Sequence, residues 1–183
     1  MPTILTHAAL PLIAGWGLGG KCGISARLAV AGSIVAILPD VDVSGFRMGI
    51  AYGDPLGHRG ISHSLAVAIL TGLIASFFWK SLRSGRATAF AFLTLSAASH
   101  GLTDMLTDGG KGIAILWPLD ENRYFAPIRP IRVSSFGLDG LRSGSFWPTL
   151  ESEFIWLIIP ALLLALLYRL WLHPHIDLTK GQI

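Results

Sequence analysis

HRGISHSLAVAILTGLIASFFW, residues 58–79, decides the reading of this chain. A polar turn with two histidines five positions apart runs directly into Ile61–Trp79, a stretch with no Asp, Glu, Lys or Arg. At about 1.5 Å of rise per residue such a run nearly crosses a hydrocarbon core of about 30 Å, so it reads as a transmembrane helix. Histidine is the commonest protein metal ligand and titrates near neutrality, so His58 and His63 on the shoulder of that helix suggest chemistry. Two interfacial polar residues would look the same in isolation, and the decision rests on what else reaches that end of the helix.

Working outward, four more apolar runs appear, at about 3–19, 24–38, 87–105 and 154–172. Glycines 17, 19, 20 and 23 make a turn around Lys21, and Gly15, Gly17 and Gly32 suit close packing of the first two helices. Pro39 is expected to end the second helix, and Val43–Gly60 reads as a loop. Lys80, Arg83 and Arg86 form a basic hairpin. Residues 109–149 are polar and rich in Gly and Pro, which predicts an irregular cover with Ile128–Ser135 as its best strand candidate. Pro160 is expected to kink the last helix.

The whole chain supports that class. Of its 183 residues 52% are apolar and only 14% charged, where soluble domains carry roughly 25%. The fold class is therefore an all-α integral membrane protein with about five transmembrane helices and an irregular exoplasmic segment between the fourth and fifth. A single membrane-embedded domain over 1–183 is expected, its polar site built from 1–108. The net charge of +3 comes from scattered residues without a basic helix interleaved with aromatics, so no nucleic-acid partner is expected. Cys22 is the only cysteine, which excludes an intrachain disulfide and a cysteine-based zinc site. The first charged side chain is Lys21, so the N-terminal run lacks the basic start of a signal peptide and is expected to stay in the mature chain.

Threading the five spans alternately through a bilayer puts His7, Asp40, Asp42, His58, His63, His100 and Asp104 on one face. The opposite face receives Lys21, Arg27, Lys80, Arg83, Arg86, Arg169 and Lys180 against Asp177 alone, and the positive-inside rule makes that face cytoplasmic. His173 and His175 fall on the cytoplasmic face and are read as tail residues. Ionisable groups beside spans are expensive unless paired or bound to an ion. Four imidazoles with three carboxylates suit zinc, manganese or iron better than calcium or magnesium. His100 and Asp104, four apart, share a helix face, and an extended backbone after Pro39 would aim Asp40 and Asp42 the same way. Seven ligands exceed the needs of one catalytic zinc, which favours two or three ions. A helix-ending turn at Asp40-Asp42 and a structural His100–Asp104 pair are the plainer alternatives.

The same motifs resemble a known family. Thr6-His7, Leu38-Pro39-Asp40-x-Asp42, His58-Arg59-Gly60-x-Ser62-His63-Ser64, Ser99-His100-x-x-x-Asp104, Leu106–Gly110 and Leu116-Trp117-Pro118 look like the YdjM-type bacterial inner-membrane proteins. The resemblance covers about residues 1–125. It implies a metal-dependent hydrolase of the inner membrane, distantly similar to zinc-dependent phospholipase C and P1 nuclease, with the seven His and Asp residues as ligands. Together these readings give a hydrolase acting on a membrane lipid or other amphiphilic ester from the periplasmic side. Asp40, Asp42, Asp104 and Arg59 are assigned to catalysis, Arg59 as a clamp for an anionic head group with Lys111 and Arg123 behind it. Ser62, Ser64 and Ser99 are expected to steady the ligands. The alternative is a non-hydrolytic protein that binds or moves a divalent metal.

Overall fold

The structure, a computed structural model, describes residues 2–19, 22–134 and 138–172; Lys21, His173, His175, Asp177 and Lys180 lie outside them. The helices are α1 (Ile4–Leu18), α2 (Ala26–Ile37), α3 (Leu65–Ser76), α4 (Arg86–Met105), α5 (Leu138–Arg142), α6 (Phe146–Glu153) and α7 (Ile159–Leu172). A π turn over Phe154–Ile158 joins α6 to α7, and the joined helix begins well before residue 154. Pro160 has no N–H for Trp156, and a π turn just ahead of it is the local adjustment that a proline demands.

No strand forms among the described residues. Ile128–Ser135, the expected strand, contributes only an isolated bridge from Ile131 to Thr107. Ile113 and Ile131 from this cover are fully buried, so the segment is pinned by apolar plugs rather than by a sheet ladder.

α4 is central: α3 runs along one side of it and α2 along another, while α1 packs on α2 and α7. Leu28, Val35, Ala89, Phe92 and Leu93 fill the α2–α4 contact. Because its neighbours enclose α4, it can carry Ser96, His100, Thr103 and Asp104 inward without meeting lipid. Among the described residues two helices are long and apolar enough to cross a membrane, Ala26–Met48 and Phe146–Trp171, and Ile4–Leu18 and Leu65–Ser76 are shorter apolar helices. The last helix exposes Leu163, Leu164, Leu167 and Leu170, each more than half accessible, an apolar face suited to lipid.

Small residues set the spacing. Gly15 abuts Ala29 of α2 as expected, but Gly17 faces Ala165 of α7, and Gly32 faces Phe92 and Ser96 of α4 as well as Pro11. α1 therefore uses its glycines on two different neighbours. A Cβ on Gly72 would stand 2.0 Å from Thr94 Oγ1 and 2.7 Å from its backbone N, so α3 and α4 meet there at backbone distance. Gly72→Ala is expected to destabilise the protein by about 1–3 kcal/mol. A lowered melting midpoint in detergent checks this, and an unchanged one would mean that the two helices do not pack so closely.

Candidate metal centre

The site gathers the first turns of α1, the segment after α2, the turn before α3 and the last turns of α4. The chain does not become extended after Pro39; it continues as a 3₁₀ segment, Leu38–Met48, so helical backbone occupies much of the expected loop. With about three residues per turn, next-but-one residues on such a segment diverge by about 120°. Asp40 and Asp42 consequently face different partners. Asp40 Oδ1 lies 3.4 Å from His100 Nε2 and 3.9 Å from His63 Nε2. Asp42 accepts from His58 Nδ1 at 2.7 Å, from Ser62 Oγ at 2.5 Å, and lies 3.2 Å from His63 Nδ1.

His63 closes a short 3₁₀ turn, Ile61–His63, so the regular helix starts later than the apolar run. Ser64 caps α3 by accepting from Val67 N, and Ser99 donates to the Ser96 carbonyl, so of the three serines only Ser62 touches the cluster. Gly101 allows α4 to approach the His63 carbonyl, which a Cβ would meet at 2.6 Å.

His7, His58, His63, His100 and Asp104 are all nearly inaccessible, at 3% or less. His7 stacks on His100 with ring centroids 3.8 Å apart, and His7 Nε2 is 3.5 Å from Asp104 Oδ1. Ligand-type atoms of His7, His100 and Asp104 lie within 4.8 Å of one another, and so do those of Asp40, His58 and His63. The groups adjoin: His63 Nε2 is 3.0 Å from His100 Nε2 and 3.7 Å from Asp104 Oδ2. The seven sequence-selected His and Asp residues thus form one contiguous cluster.

The hydrogen bonds around the rim show what the centre is built for. His100 Nδ1 donates to the Ala36 carbonyl at 2.7 Å. Thr103 Oγ1 donates to backbone carbonyls and so can only accept from His7 Nδ1, 3.3 Å away. Asp42 takes the Nδ1 protons of His58 and His63. With Nδ1–H committed outward, a ring that carries no second proton presents its Nε2 lone pair inward. His7 Nε2, both oxygens of Asp40 and both of Asp104 are buried without a hydrogen-bond partner. Two ligand atoms about 2.1 Å from a common ion at tetrahedral angles are about 3.4 Å apart, and the 3.0–3.9 Å spacings here suit that sharing. The donor set fits divalent cations.

Arg59 is buried rather than displayed. Its φ is +65°, an unusual left-handed conformation for a side-chain-bearing residue, and Nε lies 3.1 Å from Asp104 Oδ2 while Nη1 donates to Gly109 O. Arg123 donates to His58 O and Asp54 O and lies 6.0 Å from the Tyr52 ring centre, with Lys111 5.8 Å from the same ring. Burial pushes the Tyr52 phenol up, so it remains neutral beside these cations.

Glu153 escaped the sequence reading. It is fully buried and accepts from Thr3 N at 2.5 Å, Thr3 Oγ1 at 2.6 Å and Thr6 Oγ1 at 2.5 Å, fastening the last helix to the turn that carries His7. A lone carboxylate at the lip of a span is itself a signal, because it needs partners.

Helices built for a bilayer around a buried His/Asp cluster define a membrane protein with a candidate metal centre. The chain belongs to the YdjM inner membrane protein family, whose model matches residues 1–176 and so extends well past residue 125. It is 44% identical over 165 residues to the inner membrane protein YbcI of Escherichia coli (strain K12), covering 90% of this chain and 95% of that protein. No solved structure matches it.

Glu153→Ala would leave three donors without an acceptor, and is expected to cost about 2–4 kcal/mol. Chemical denaturation in detergent reads this directly, and stability equal to the native protein would exclude the latch.

Proposed function

We propose that this protein is a multi-pass inner-membrane hydrolase that uses two or three divalent ions, zinc foremost, to cleave a lipid ester or phosphoester. The observation that carries this reading is the buried set of inward acceptor atoms with their protons committed outward. Water-filled polar sites normally balance donors and acceptors, whereas here Arg59 meets Asp104 and the remaining inward acceptors of His7 and Asp40 outnumber the donors, which calls for further cations. His7, His100 and Asp104 would hold one ion, and Asp40, His58 and His63 another.

Such ions supply Lewis acidity: they stabilise charge developing on a phosphoryl or carbonyl oxygen and make water a nucleophile near neutral pH. The chain supplies the rest. Asp42 fixes the tautomer and pitch of His58 and His63, as carboxylates do behind ligating histidines. Asp40, whose Oδ1 faces His100 and His63 while Oδ2 makes no hydrogen bond, is the group placed to accept the proton of attacking water at Oδ2. Arg59 neutralises Asp104 and keeps Nη2 available for an anionic oxygen.

The apolar runs and the basic residues at the far end from the cluster support five crossings with the site facing the periplasm. Arg27, which donates to the Ser81 carbonyl, and Arg169, over the Trp16 ring, mark that far end.

Elemental analysis of protein purified without chelator is expected to find stoichiometric transition metal, lost or strongly reduced in His63→Ala and Asp104→Ala. No metal in the native protein would sink the proposal. Metal without turnover on any phospholipid or phosphoester would remove the hydrolase and leave a metal-binding protein. Reporter fusions at Arg83 are expected to score cytoplasmic, and a periplasmic signal would reverse the orientation.

A further inference from the structure

The cluster lies under the cover and beside a gap between α2 and α3. On the outer side the cover is sewn down by backbone bonds: Ala114 N donates to Arg59 O, Leu65 N to Ile115 O, and Asp108 N to Ile131 O. Arg123 adds a side-chain bond to the His58 carbonyl. On the membrane side, α2 and α3 both lean on α4 without packing closely on each other. A small cavity of about 90 Å³ occupies this gap, lined by Leu38, Pro39, Ser62, Val67 and Thr71 among others.

The gap leads to the site. Ser62 forms part of its wall and also bonds Asp42 and His63, while Pro39 immediately precedes Asp40. Asp40 and Asp42 keep 8% and 7% of their side chains accessible, whereas those of the other cluster residues are wholly buried. Leu38, in the wall of the gap, is itself 45% exposed. Beyond Asp42, the Tyr52 ring lies 5.4 Å from that of His58, and Lys111 and Arg123 flank it. An apolar gap, the reactive cluster and a cationic patch therefore follow one another in space.

We infer that an anionic glycerophospholipid reaches the site sideways from the bilayer between α2 and α3, its acyl chain in the gap and its charged head group toward Arg59, Lys111 and Arg123. This rests on the hydrolase reading for its consequence, but lipid occupancy of the gap is testable without turnover. A chain of the bilayer is the occupant that an apolar gap at membrane depth selects, and the cations in and beyond the cluster select a negative head group.

The test uses the full-length protein in lipid nanodiscs containing phosphatidylglycerol or phosphatidylcholine with a photoactivatable diazirine near the start of one acyl chain. Adducts are mapped by mass spectrometry. Phosphatidylglycerol is expected to label the peptides holding Leu38–Pro39 and Val67–Thr71 above the background on α7, and phosphatidylcholine to label them less. Thr71→Trp and, independently, Val67→Trp should abolish the excess at the gap while labelling of α7 persists, which also reports that the variants are folded. Gap labelling no greater than that of α7, or unchanged by both tryptophans, overturns the inference. Equal labelling by the two lipids overturns the assignment of the head group. Hydrolysis and metal content measured on the same samples separate this result from the enzymatic proposal: hydrolysis without gap labelling rejects only the lateral route, and gap labelling without hydrolysis rejects only the enzyme.

Discussion

The structure depends on one electrostatic constraint: buried oxygen and nitrogen lone pairs must converge on a centre that apolar helices cannot solvate. An unpaired carboxylate at membrane depth is among the most costly features a chain can carry. Everything around the cluster limits that cost. Arg59 is held against Asp104 in a strained backbone conformation, and Asp42, Ser62, Thr103 and the Ala36 carbonyl take the outward protons of four imidazoles. The helices end at the cluster because ends expose unpaired backbone and free side chains to turn inward.

Much of this was legible in the sequence, and the limits of legibility have physical causes. Apolar runs located α1, α2 and α4 to within a few residues, and the far end but not the start of the last helix, because burial and lipid exposure act on composition before any packing detail. The seven His and Asp residues could be grouped by threading alone, since alternating direction fixes which helix ends meet. Local backbone was less visible. Pro39 looks like a terminator, yet proline is well suited to the first turn of a new helical segment, and the 3₁₀ continuation that results separates Asp40 from Asp42. Likewise Gly17 and Gly32 announce close approach without saying to which neighbour. The roles of Asp42 and Glu153 are tertiary facts: one is set by the Nδ1 atoms of two rings, the other by the N-terminus of a helix almost the whole chain away.

The cover between α4 and α5 is a second instance of structure without a periodic signal. It has no ladder and little helix, yet Ile113, Ile115 and Ile131 are buried and its backbone is bonded to Arg59, Leu65, Met105 and Leu106. Such a segment is fixed by a few anchors spaced irregularly along the chain, which is why it reads as a loop until its partners are known.

The Glu153 latch joins α6 to the start of α1, elements far apart in the sequence. During synthesis α1 leaves the ribosome well before the helix bearing Glu153, so the turn that presents His7 stays without its carboxylate partner until that helix has followed it. The order of synthesis thereby delays completion of the centre, and a truncated chain would carry every metal-ligand candidate while lacking the strut that holds the first of them in place.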